Sequence, residues 1–187
     1  LQGSNSLLTI GSDLTLQPNA ESLTSGFVNY YSPGEIWTGQ TSPSTNHLSG
    51  VGFGNGTFVA VGDSGTIHTS LDGTTWTPRD SGTTNTLQDV TYGNGTFVTI
   101  GNLGTILTSL DGVTWTPRTS GTTNTLNVVT YGNDTFVTIG NSGTILTSPD
   151  GVTWTLRTLE TTNAVSGITY GDGTFVAVGE GGIILTS

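Results

Sequence analysis

Trp37, Trp76, Trp115 and Trp154 recur every 39 residues, and Phe58, Phe97, Phe136 and Phe175 keep the same interval. A fixed period of this length marks a repeat architecture, in which each unit buries its apolar face against the next. Every unit holds four short strand candidates. "LQDVTYG" (87–93) and "TFVTIG" (96–101) are β-branched and aromatic, "TILTS" (105–109) follows, and a last strand is predicted around Trp115. Between the first two strands stand "NG" at 55–56 and 94–95, "ND" at 133–134 and "DG" at 172–173. Such pairs suit type I′ hairpins, whose two central residues need positive φ. "GDSG", "GNLG", "GNSG" and "GEGG" mark a second turn in each unit.

Four antiparallel strands per unit describe a propeller blade. The fold class expected is therefore all-β: a four-bladed β-propeller of 39-residue repeats. The last unit stops at Ser187, equivalent to Ser148, ahead of its tryptophan strand, while "GEIWTGQ" (34–40) supplies such a strand before the first unit. The expectation is that 34–40 closes the ring within residues 34–187, with repeats at 47–86, 87–125, 126–164 and 165–187, and so removes exposed strand edges. A larger ring made by two chains is the alternative closure, which leaves a homo-oligomer open. Residues 1–33 do not repeat. They are too short for a core of their own and read as an extended N-terminal arm that docks onto the ring or attaches it to a virion or cell-surface protein.

Charge narrows the partners. The chain carries a formal net charge of −10, and its three cations are Arg79, Arg118 and Arg157, with no lysine. Nucleic acids and anionic membranes require clustered cations, so neither is an expected partner. No apolar run reaches membrane-spanning length, and no secretory leader is visible. The absence of cysteine removes disulfides, thiolate metal sites and thiol nucleophiles together. His47 and His68 stand apart from any zinc or calcium-loop spacing, so no metal and no cofactor are expected. A lysine-free surface rich in Thr, Asn and Gly points to an extracellular or virion setting.

The segments "SLDGTTW" (70–76), "SLDGVTW" (109–115) and "SPDGVTW" (148–154) bring a family into view. Residues 34–187 resemble the Asp-box (BNR-like) repeat β-propellers. Ser70, Asp72 and Trp76, then Ser109, Asp111 and Trp115, then Ser148, Asp150 and Trp154 match the box. Sialidases and photosystem II assembly-factor propellers share it, so the resemblance implies a fold more than a function. Physically, Asp and Ser beside a Gly turn accept backbone N–H bonds, and the tryptophan adds apolar surface between blades. The stretch "LTIGSDLTL" (8–16) resembles bacteriophage tail-fibre and other virion-appendage sequences.

A sialidase needs an irregular arginine triad, a tyrosine nucleophile and an acid/base carboxyl. Here the arginines all stand three residues after a box tryptophan, and Tyr92, Tyr131 and Tyr170 share one repeat position. Catalysis requires symmetry broken at the reacting centre, so no catalytic residues are expected. Recognition is expected instead on the face opposite the boxes, in the inter-blade connections 39–47, 78–86, 117–125 and 156–164. There Asn46, Asn85, Asn124 and Asn163 recur alongside Arg79, Arg118 and Arg157. The reading is a non-enzymatic binding or structural module, surface-displayed or on a virion, that recognises a glycan or surface receptor. A protein-binding assembly factor of the photosystem II type is the alternative, and a divergent sialidase-like glycosidase the third.

Overall fold

The computed structural model describes residues 37–157 and 162–187. The chain divides into two compact units, Leu1–Thr38 and Gly39–Ser187, and every described strand lies in the second. The expected arm at 1–33 and residues 34–36 of the expected closing strand lie outside the described residues.

Four antiparallel sheets follow one another along the chain. Blade 1 is β1 (Leu48–Gly54), β2 (Thr57–Gly62), β3 (Ile67–Ser70) and β4 (Thr77–Arg79). Blade 2 is β5 (Leu87–Gly93), β6 (Thr96–Gly101), β7 (Ile106–Ser109) and β8 (Thr116–Arg118). Blade 3 is β9 (Leu126–Gly132), β10 (Thr135–Gly140), β11 (Ile145–Ser148) and β12 (Thr155–Arg157). Blade 4 has β13 (Val165–Gly171), β14 (Thr174–Gly179) and β15 (Ile184–Thr186). This is the all-β propeller architecture of 39-residue repeats that the periodicity predicts.

The first hairpins form for the reason given by their turn residues. Asn55 and Gly56 have φ of 46° and 71°, and Asn133 and Asp134 have 45° and 54°. Both central positions are left-handed, as a type I′ turn demands. The second turn is a single 3-10 turn in each blade, closed by bonds such as Thr66 N–H to the Asp63 carbonyl at 3.1 Å. One expectation shifts by a residue: the last strand of blade 2 begins at Thr116, after the tryptophan. The Trp115 indole turns back to donate to the Gly112 carbonyl at 3.0 Å, which takes it out of the ladder.

Apolar side chains pack between successive blades. Val59, Val61 and Ile67 of blade 1 meet Leu87, Val90, Phe97 and Trp115 of blade 2. Val98, Ile100 and Ile106 of blade 2 meet Leu126, Val129 and Phe136 of blade 3. Phe97 and Phe136 are wholly buried, each contributing about 2–3 kcal/mol of apolar burial. Glycines make the close approach possible. A methyl group on Gly93 would run into the ring of Tyr131, and one on Gly132 into that of Tyr170.

Closure by residues 34–40 is not seen among the described residues. Trp37–Gln40 carry no strand, Trp37 is fully exposed, and the pairing of β15 among the described residues is with β14. The short edge strand keeps Ile184 in solvent.

Candidate functional site

Antiparallel pairing sends the β1–β2 turn and the box loop of each blade to one end. It sends the 3-10 turn and the inter-blade connection to the other. The box end is the more tightly built. The Ser109 hydroxyl donates to Asp111 Oδ1 at 2.9 Å and accepts from Gly112 N–H at 2.8 Å. Asp111 Oδ1 also accepts from Val113 and Thr114 N–H at 2.8 and 2.9 Å. Ser70 with Asp72 and Ser148 with Asp150 repeat the pattern. These donors stabilise the charged carboxylates. The Thr114 and Val113 N–H groups bring Asp111 down to about 2, and Asp72 and Asp150 are lowered by their own Thr and neighbouring N–H groups. Trp76 and Trp154 donate to Gly73 and Gly151 carbonyls as Trp115 does. The serine hydroxyl, one carboxylate oxygen and the indole N–H of each box are thus engaged in holding the loop.

At the connection end, the asparagines are engaged as well. Asn46, Asn85 and Asn124 donate to Thr66, Thr105 and Thr144 Oγ1 at 2.8, 2.9 and 2.9 Å. Those hydroxyls in turn donate to the first carbonyl of the 3-10 turn at 2.7 Å. In blade 4 Ile183 stands where the threonine would be, and Asn163 donates to the Glu180 carbonyl at 3.2 Å. The asparagine amides therefore tie each connection to its blade.

The arginines lie between the two ends, and Arg79 and Arg118 line clefts at both. Arg79, Arg118 and Arg157 sit at the strand ends, yet each Nε donates to a threonine (Thr69, Thr108 or Thr147) at 2.8 Å. This bond draws the side chain back along the blade toward the box. Arg79 lines a cleft of about 540 Å3 with Leu71, Asp72 and Thr77 of its own blade and Asp111 and Val113 of the next. Arg118 lines the equivalent cleft of about 390 Å3, with Leu110, Asp111 and Val152. Among the described residues no further hydrogen bond engages either guanidinium, which leaves its other N–H groups available as donors to a ligand in the cleft. Leu71 is 80% exposed and Leu110 73%. These leucines were missed in the sequence because the box pattern leaves their position unspecified. A wider cleft of about 940 Å3 lies at the connection end between Ser81–Thr83 and Ser120–Thr123, with Leu103 on its rim; Trp115 and Arg118 line it too, and Arg79 lines the equivalent groove beside Ser81 and Thr83.

Two polar groups break the repeat. Asp89, where other blades have Gly50, Val128 and Gly167, accepts from Val90 N–H at 2.8 Å and from Val129 N–H at 3.0 Å, bridging β5 to β9. Burial raises its pKa against those two bonds. His68 replaces a leucine on β3, is buried, and meets Ser44 Oγ through Nε2 at 3.0 Å while Nδ1 has no partner. Burial lowers its pKa. Among the described residues no group of three or more His, Asp or Glu side chains is placed to hold a metal. Within that region no helix is long and apolar enough to cross a membrane.

No protein-family model matches the chain, and no curated protein matches it. Solved structures do. YCF48 from Cyanidioschyzon merolae superposes with a TM-score of 0.61 at 20% identity, over 79% of this chain and 55% of that one. A structure of YCF48 bound to D1 peptide gives 0.63 at 22% identity, over 78% and 51%. The crystal structure of the computationally designed Ika4 protein gives 0.63 at 16%, over 80% and 98%. The chain spans about half the length of the two YCF48 chains. At these identities the likeness establishes one thing, that this chain has the repeat β-propeller fold.

Proposed function

We propose that the protein is a non-enzymatic propeller module of the Asp-box type that binds an extended polypeptide segment across the repeated clefts at the box end. The observation that carries this reading is the recurrence of one lining: Leu71, Arg79 and Val113 in one cleft, Leu110, Arg118 and Val152 in the next. An exposed leucine accepts an apolar side chain, and a guanidinium pinned by its Nε offers oriented donors to a backbone carbonyl or carboxylate. Regular spacing of such clefts suits an extended chain, whose side chains alternate. A net charge of −10 favours a segment that also carries basic residues. That a YCF48 structure holds a D1 peptide on the same fold supports a polypeptide partner.

Glycan recognition, the first expectation from sequence, has weaker support. Sugar stacking on the box tryptophans calls for exposed rings, whereas Trp115 is 9% exposed and packs on Phe97 at 6.4 Å between ring centroids, and Trp154 is half-buried on Phe136 at 6.5 Å. The non-enzymatic part of the reading is supported by the uniform bonding of the three arginines, which sets up no distinct reacting centre among the described residues. An extracellular or virion setting, with attachment through residues 1–33, is part of the same proposal on the composition alone.

The test is a membrane-bound array of extended peptides alternating apolar and basic residues, probed beside a glycan array. Selective peptide retention that falls at least tenfold in Leu71→Asp/Leu110→Asp and in Arg79→Ala/Arg118→Ala is expected. Retention on glycans alone, or hydrolysis of a fluorogenic sialoside, overturns the reading.

A further inference from the structure

Within the propeller unit one contact repeats between every pair of neighbouring blades. The ring on a blade's first strand sits over a glycine on the first strand of the blade before it. Tyr92 covers Gly54, Tyr131 covers Gly93, and Tyr170 covers Gly132, each so closely that a methyl on the glycine would collide with the ring. The series has one member left over at each end. Phe53 of β1 occupies the tyrosine position and is 57% exposed. Gly171 of β13 occupies the glycine position, and nothing stands within 4 Å of where its Cβ would be. One end is a knob without a hole, the other a hole without a knob.

The surrounding apolar positions tell the same story. Val61, Ile100 and Ile139 face the following blade and are wholly buried, but their equivalent Val178 is 46% exposed. Ile67 and Ile106 are 1% exposed and Ile184 is 69%. On the other side, Val90 and Val129 face the preceding blade at 4%, against 64% for Val51. The two open faces are therefore the two halves of an interface that the molecule already builds internally. Uncovered apolar faces of this kind mark association sites.

We propose that a second copy of this chain covers both faces, head to tail, with Phe53 of each copy seated over Gly171 of the other. The contact is heterologous, so it must either close into a ring or run on as a filament. Each chain supplies four blades, and propellers close at roughly four to eight. Four do not close here, because Phe53 and Gly171 of one chain are both uncovered. Two copies reach eight, and three would exceed the range. This inference is independent of the peptide-binding reading, since it concerns the end faces and not the box-end clefts.

Sedimentation velocity on the full 187-residue chain tests it. The expected result is one species of twice 19.2 kDa, with Phe53→Asp and Gly171→Trp each weakening association at least a hundredfold while far-UV circular dichroism is unchanged. Mixing the two variants rescues association in part: the mixed pair has one unaltered contact, Phe53 of the Gly171→Trp copy over Gly171 of the Phe53→Asp copy, and gathers both substitutions in the other, so it associates more tightly than either variant alone. Three results overturn the proposal: a monomer at micromolar concentration, a ladder of higher species, or no rescue on mixing.

Discussion

Phe97 in blade 2 and Phe175 in blade 4 occupy the same repeat position and belong to strands of nearly identical sequence, "TFVTIG" and "TFVAVG". Blade 2 lies between two others, and all six residues of β6 are buried. Among the described residues blade 4 has a neighbour on one side only, and β14 has a single buried residue, Ala177. The turns, registers and bulge positions of the two blades agree, down to the register shift near the start of the first strand. What separates them is the coverage by adjacent blades. In this architecture a side chain's contribution to stability is set by its place along the array as much as by its identity.

Substitution at the shared aromatic position probes that contrast most strongly. Phe97→Ala removes a wholly buried ring and is expected to cost about 3–5 kcal/mol in urea denaturation. Phe175→Ala is expected to cost roughly half as much in dilute chains, because the ring is part-exposed and leaves a smaller cavity. Equal costs at both positions would mean that blade 4 is covered in solution. The glycine sockets come next. Gly93→Ala forces a methyl into the Tyr131 ring and is expected to cost about 1–3 kcal/mol, whereas Gly171→Ala shifts the unfolding of dilute chains by less than about 0.5 kcal/mol.

The box serine gives a smaller difference. Ser109→Ala leaves Gly112 N–H without its partner and is expected to lower stability by about 1–2 kcal/mol. Ser187, its equivalent at the end of blade 4, is exposed and among the described residues bonds to Phe175 alone, so Ser187→Ala is expected to be near neutral.

The smallest effects are those of pH. His68 is lowered by burial, so the unfolded chain takes up its proton first; stability is level above the ordinary imidazole range near pH 6.5 and declines as pH falls below it. His68→Leu, which restores the residue of the other blades, removes that decline. The box carboxylates act in a separate window: their stabilisation is complete above about pH 4 and is lost as pH falls toward 2, the value to which Asp111 is lowered. Urea midpoints taken from pH 8 to pH 2 resolve the two steps. A decline near pH 6 that survives in His68→Leu would assign it to another group.

Much of this was legible in the chain. The 39-residue period, the Asn-Gly turns and the Ser-Asp-Gly loops are local, and local stereochemistry decides them: positive φ at Asn55 and Gly56, or a hydroxyl and carboxylate within reach of their own backbone at Ser109 and Asp111. The arginines were legible as a repeating set, but sequence spacing gives the position of a Cα and not the direction of a long side chain. Only the Thr108 hydroxyl across the strand pair turns Arg118 toward the box end. Leu71 and Leu110 carried no signal beyond their hydrophobicity.

The sequence alone determined the blade: its strands, its turns, its box and the number of repeats, since each depends on residues a few positions apart. Tertiary structure decided which copies of the blade are buried. Phe53 and Tyr92 look alike in the repeat, as do Gly171 and Gly132, yet one ring is covered and the other open, and one glycine is filled and the other empty. A periodic sequence carries no record of where its array meets solvent, because burial depends on whether another blade stands alongside.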